Sequence, residues 1–192
     1  MTVGAAGADR PVAVLTGFMG SGKSTVGRAL ADRLGVDYVD TDAEIERRAG
    51  RRIPEIFADD GESAFRELER ATVLEVLGRE RGVVALGGGA VTVPEIATAL
   101  AAHHVIYLEI DARAGFARVA ASDRPLLRDP DPAGRYGELL AGRVDAYRAV
   151  AGHTVDATVA VATIVDQILN ALPDPRIAPV PSADPKEEPT HE

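Results

Sequence analysis

Val12-Ala13-Val14-Leu15-Thr16-Gly17-Phe18-Met19-Gly20-Ser21-Gly22-Lys23-Ser24-Thr25 decides the fold. Five strand-forming residues lead into a glycine-rich loop. The loop opens a helical stretch from Lys23 to Leu34, which Gly35 closes as a C-terminal cap. From Gly17 onward the stretch matches G-x-x-x-x-G-K-[ST], in the strand–loop–helix context the motif needs. The glycines let successive backbone N–H groups curl around one anion, and the helix N-terminus adds about half a positive charge. Lys23 can reach the β- and γ-phosphates, and Ser24 can ligate Mg²⁺. Gly20, Ser21, Gly22, Lys23, Ser24 and Thr25 are therefore the expected phosphate-binding residues.

The pattern repeats outward from that stretch. Strands are expected at 36–40, 83–86, 105–110 and 154–158. Helices are expected at 42–49, 54–60, 62–78, 94–102, 112–121, 133–150 and 160–172. Apolar strands separated by helices predict an α/β fold, a parallel sheet covered on both faces. Residues 11–172 form the expected domain. Residues 1–10 read as a flexible leader. Residues 173–192 carry 6 of the 12 prolines and read as a disordered, Pro-rich acidic tail.

Composition narrows the chemistry. The 192 residues contain no Cys, which excludes disulfides, thiolate metal sites and a cysteine nucleophile. The net charge of −9 argues against nucleic acid as a partner. No run free of charged residues is long enough to span a membrane, and no export signal is apparent, so a cytoplasmic location is expected. There are only two Lys, and one of them is Lys23. No N-K-x-D guanine motif is present. The apolar strand at 83–86 ends in Gly87-Gly88-Gly89, where an ATPase motor would carry an acidic residue. The small size fits a small-molecule kinase.

Asp40-Thr41-Asp42 ends the second strand, at the sheet edge where parallel α/β folds bind ligands. Two carboxylates at i, i+2 of an extended segment share a side. One can hold the water shell of Mg²⁺ and the other can accept a proton from an attacking hydroxyl. Equally, Asp42 could simply cap the helix that follows. The glycine triplet lets backbone N–H groups approach a ligand, or serves as a flexible connection. Arg66, four residues after Glu62, has the spacing of an ordinary surface ion pair.

These segments together closely resemble shikimate kinases, with the actinobacterial type nearest. The resemblance is carried by Gly17–Thr25, Val39–Asp42, Ile56–Arg66, Leu86–Val91, Arg124-Pro125-Leu126-Leu127 and Tyr147-Arg148. It implies phosphorylation of the shikimate 3-hydroxyl by ATP with Mg²⁺. It further implies a five-stranded sheet in the order 2-3-1-4-5 with a mobile lid, and a monomer is expected. By resemblance, Asp42 contacts the reacting hydroxyl and Asp40 sits near Mg²⁺ through water. Arg66 and Arg148 hold the shikimate carboxylate beside Gly87, Gly88 and Gly89, with a backbone N–H from Gly88. Arg124 is the lid arginine that reaches the ATP phosphates, and Arg118 lies against the adenine. Lys23, Asp42 and Arg124 form the expected catalytic set. Where many relatives carry a further base-packing Arg, this chain reads Asp156-Ala157-Thr158-Val159-Ala160, with no basic residue. The adenine is therefore expected to rest on Arg118 and apolar contacts. The alternatives are a gluconate-type or other small-hydroxyacid kinase with the same fold, and a non-enzymatic nucleotide-binding regulator.

Overall fold

The computed structural model describes residues 10–120 and 129–173. β1 (Ala13–Thr16) feeds α1 (Lys23–Leu34), and β2 (Tyr38–Asp40) feeds α2 (Thr41–Ala49). α3 (Ile53–Asp59) and α4 (Gly61–Arg79) follow, then β3 (Val83–Ala85), a 3₁₀ turn at Ala90–Thr92 and α5 (Pro94–Leu100). The chain continues through β4 (Val105–Glu109), α6 (Ala112–Val119), α7 (Pro132–Val150), β5 (His153–Asp156) and α8 (Val161–Ala171). All four strand pairings are parallel, in the expected order β2-β3-β1-β4-β5.

Alternation along the strands builds two cores. Val14, Val84, Val105 and Tyr107 face α4, α5 and α7. Ala13, Leu15, Val83, Ala85, Ile106 and Leu108 face α1 and α8. The central strand is therefore buried on both sides, as its unbroken apolar run requires. A third cluster of Ile45, Ile56 and Phe65 seats α2 and α3 on α4. Glu44 reinforces that seat. It accepts two hydrogen bonds from Arg47 and one from Arg48, which in turn grips Glu75 on α4. Those bonds, Arg47's first, hold the Glu44 carboxyl down at about 2.

Where boundaries differ from expectation, a backbone group has another partner. The second strand starts at Tyr38 rather than residue 36 because Val36 N–H is spent on Ala31 O, closing α1. The fifth strand stops at Asp156 rather than residue 158 because Asp156 Oδ1 accepts both Thr158 N–H and Thr158 Oγ–H, turning the chain. The 3₁₀ turn after the glycine triplet was not among the expected elements. Thr92 N–H and Oγ–H both donate to Gly89 O there.

Two helix glycines lie closer to a tyrosine than any side chain would allow. A Cβ on Gly27 would lie 2.4 Å from the Tyr38 ring, and one on Gly115 would lie 2.0 Å from the Tyr136 hydroxyl. The first lets α1 approach β2. The second lets α6 approach α7, where Tyr136 donates to Met19 O in the phosphate loop at 2.7 Å.

Candidate active site

The carboxyl ends of β1, β2 and β3 open into one cleft of about 970 Å³. The phosphate loop forms its floor. Gly20 and Gly22 have φ of 82° and 88°, in the left-handed region. A side chain on Gly20 would also collide with Gly115 O. Lys23 folds back over the loop and donates to Gly17 O at 2.7 Å and Phe18 O at 3.3 Å. Ser21, Ser24 and Thr25 complete the lining.

Asp40 and Asp42 divide the two roles left open by the sequence. Asp40 is the helix cap: its Oδ1 accepts Asp42 N–H at 3.0 Å. Its Oδ2 accepts Ser24 Oγ–H at 3.1 Å and the Tyr38 hydroxyl at 3.2 Å. Asp42 is thereby released from capping and faces the third strand, where a Cβ on Gly87 would lie 2.3 Å from Oδ1. Burial pushes the Asp42 carboxyl up to about 6; neighbouring Asp40 adds to this and Lys23 opposes it.

The far wall is cationic and apolar. Arg66 makes the expected surface pair with Glu62 at 3.2 Å, yet its Nη1 turns inward to Glu69 Oε2 at 2.7 Å. Glu69 is almost wholly buried, which raises its carboxyl pKa against the pull of Arg66. Gly89 lies directly against the Arg66 guanidinium. Arg143 enters the same wall from α7. It donates to Gly88 O at 3.3 Å and sits 5.3 Å over the Phe18 ring. Phe57 and Phe65, paired at 4.4 Å, add an apolar face.

Arg148 corrects an expectation. It lies outside this cleft, 60% exposed, and pairs with Glu109 at 2.8 Å beside a separate groove of about 530 Å³. The reason is helical phase. Tyr147 points into the core, so Arg143, four residues back, shares its face, whereas Arg148 is turned about 100° away. Counting back from the buried aromatic would have found Arg143. Glu69 was also missed. Its signal is weaker, a carboxylate three residues after Arg66, because only burial distinguishes it from a surface pair.

Arg118 reaches the opposite end of the cleft. It bridges Gly20 O at 3.1 Å and Ala157 O at 2.9 Å. Val159 and Val161, exposed although apolar, line the cleft beside it. Arg124, with the rest of the expected lid segment, lies outside the described residues, as do residues 1–9 and 174–192.

A phosphate loop joined through one cleft to a buried carboxylate and two arginines defines a P-loop kinase of small molecules. The shikimate kinase family model matches residues 19–173. Shikimate kinase of Mycobacterium avium is 54% identical over 147 residues, which is 76% of this chain and 84% of that one. The Mycobacterium marinum enzyme is 47% identical over 175 residues, covering 90% and 95%. A solved shikimate kinase from Acinetobacter baumannii in complex with shikimate superposes with a TM-score of 0.80 at 36% identity, covering 85% and 93%. This chain belongs to the shikimate kinase family.

Proposed function

We propose that this chain carries out ATP-dependent phosphorylation of the shikimate 3-hydroxyl in the cleft just described. The carrying observation is the meeting of Lys23, Asp42, Arg66 and Arg143 in one cleft. The phosphate loop holds the β- and γ-phosphates. Arg66 and Arg143 grip the shikimate carboxylate, a planar anion suited to guanidinium forks. That grip orients the 3-hydroxyl toward Asp42. As the hydroxyl oxygen attacks the γ-phosphorus, its proton passes to Asp42 and the bond to ADP breaks. Lys23 neutralises charge that builds on the phosphoryl oxygens. By resemblance, Arg124 does the same from the lid.

Ser24 Oγ and Asp40 Oδ2 meet at 3.1 Å beside the phosphate loop, a set of hard oxygen donors that fits Mg²⁺. Ser24 would ligate the ion directly and Asp40 through water. Mg²⁺, when bound with ATP, supplies electrostatic neutralisation of the phosphates. No helix among the described residues is long and apolar enough to cross a membrane. With the absence of Cys and the acidic balance, this supports a cytoplasmic enzyme without nucleic-acid partners.

The test is ADP release measured with shikimate, with gluconate and with no acceptor. Release only with shikimate is expected. Release only with gluconate would point to the rival kinase, and none with either acceptor to a regulator.

Arg143→Ala is expected to weaken shikimate binding by about tenfold or more, since a hydrogen bond to a charged group contributes roughly 1.5–3 kcal/mol. ATP binding should be unaffected, and Arg148→Ala should leave both ligands unchanged. Calorimetry that found the larger loss in the Arg148 variant would restore the original assignment.

At the base end, Arg118 and the two valines contact any base through its face, so ATP and GTP should differ little. Arg118→Ala should raise the ATP KM several-fold with the shikimate KM unchanged, a cation–π contact being worth about 0.5–2 kcal/mol. A strong ATP preference surviving in Arg118→Ala would instead assign base reading to backbone groups near Val159.

A further inference from the structure

The glycine triplet is pinned from behind by a tyrosine. Tyr147 is fully buried on α7, and its ring stacks on Tyr107 at 5.0 Å with planes 16° apart. Its hydroxyl donates to Gly88 O at 2.5 Å, and Arg143, one helical turn away, donates to the same oxygen. Burial raises the Tyr147 pKa, so the hydroxyl stays protonated and remains a donor. The preceding residue is also fixed: Gly87 N–H donates to buried Thr41 Oγ1 at 3.0 Å.

No described peptide bond is cis. In a trans peptide the C=O of one residue and the N–H of the next point in opposite directions. Holding Gly88 O toward α7 therefore turns Gly89 N–H the other way. Among the described residues, neither Gly88 nor Gly89 N–H has an acceptor. Gly89 nevertheless packs against the Arg66 guanidinium. An uncommitted backbone donor thus stands beside the cation that grips the substrate anion. Three consecutive glycines have little of their own to resist a peptide flip. A flip would aim a carbonyl lone pair at that anion.

We propose that the Tyr147 hydroxyl fixes the Gly88–Gly89 peptide so that its N–H faces the substrate carboxylate, making Tyr147 a positioning residue for shikimate. The inference rests on the shikimate reading given above. It differs from a packing role because its effect must follow the carboxylate.

The experiment is calorimetry on the intact chain with shikimate, with shikimamide and with ATP. Shikimamide replaces the carboxylate by a neutral amide. Tyr147→Phe keeps the ring and its stacking. It should weaken shikimate by roughly fivefold to tenfold, the size of one hydrogen bond. Shikimamide should lose less than about twofold, and ATP nothing. Equal losses for shikimate and shikimamide, or a loss for ATP, would make Tyr147 a packing residue and overturn the proposal. Should Tyr147→Phe fail to fold, the wild-type Gly89 amide resonance decides. It should move downfield with shikimate and by clearly less with shikimamide, whose neutral amide oxygen is the weaker acceptor; a Gly89 signal unmoved by shikimate overturns the proposal. Wild-type chain that binds no shikimate at all would instead strike down the shikimate reading itself.

Discussion

Asp42→Asn lowers kcat by about a thousandfold and leaves shikimate affinity within a few-fold: that is the expected result, since a general base typically contributes 10²–10⁴. Asparagine preserves the size of the group and one hydrogen bond to the hydroxyl, but it cannot take the proton. An unchanged single-turnover rate would reduce Asp42 to a structural residue. The same variant has a stability signature in the ligand-free protein. The carboxyl titrates near 6 when folded and at 3.8 in its ordinary state. Between those values the folded chain holds a proton that the unfolded chain has released. Stability therefore falls as pH rises from about 4 to about 6 and stays low above that. Asparagine removes the penalty. Asp42→Asn should melt higher than wild type at pH 7.5, with the gap closing below about pH 4. Two pKa units set an upper bound of roughly 3 kcal/mol, which partial solvent contact reduces. Equal melting temperatures at pH 7.5 would mean the carboxyl is not strained by burial.

Lys23→Met should cut turnover by at least about a hundredfold with the fold intact. The ammonium lies across the phosphate loop, on the surface ATP must occupy, and donates to carbonyls of that loop. Methionine keeps most of the aliphatic stem and loses the charge. The decisive measurement is steady-state turnover alongside circular dichroism. A correctly folded variant that retained more than about a tenth of wild-type activity would remove Lys23 from the catalytic set.

Legibility of the site in the sequence followed how local the chemistry is. The phosphate loop, the Asp40-Thr41-Asp42 pair and the glycine triplet were readable because each function depends on neighbours along one strand end. The sheet order came through resemblance and agrees with the structure. The division of labour between Asp40 and Asp42 was not readable, because it depends on which carboxylate bends back to an N–H. Ser24 on α1 and Tyr38 two residues back on β2 hold the other Asp40 oxygen and so fix that choice. Arg143 was displaced by Arg148 because a five-residue difference on a helix is a question of facing. Glu69 was invisible because an acidic residue near an arginine on a helix reads as solvated until its burial is known.

The Gly27–Tyr38 and Gly115–Tyr136 contacts carry a consequence for anyone wishing to make this enzyme more heat-resistant. Replacing glycine by alanine inside a helix ordinarily raises stability by about 0.4–1 kcal/mol, by restricting the unfolded chain. Gly78 and Gly142 sit in helices with open space where a methyl would go, so they are candidates for that treatment. Gly27 and Gly115 are not, because a methyl at either would wedge apart the helices and strands that frame the ATP phosphates. Thermostability and catalytic geometry thus compete at two helix glycines of this chain and are independent at two others.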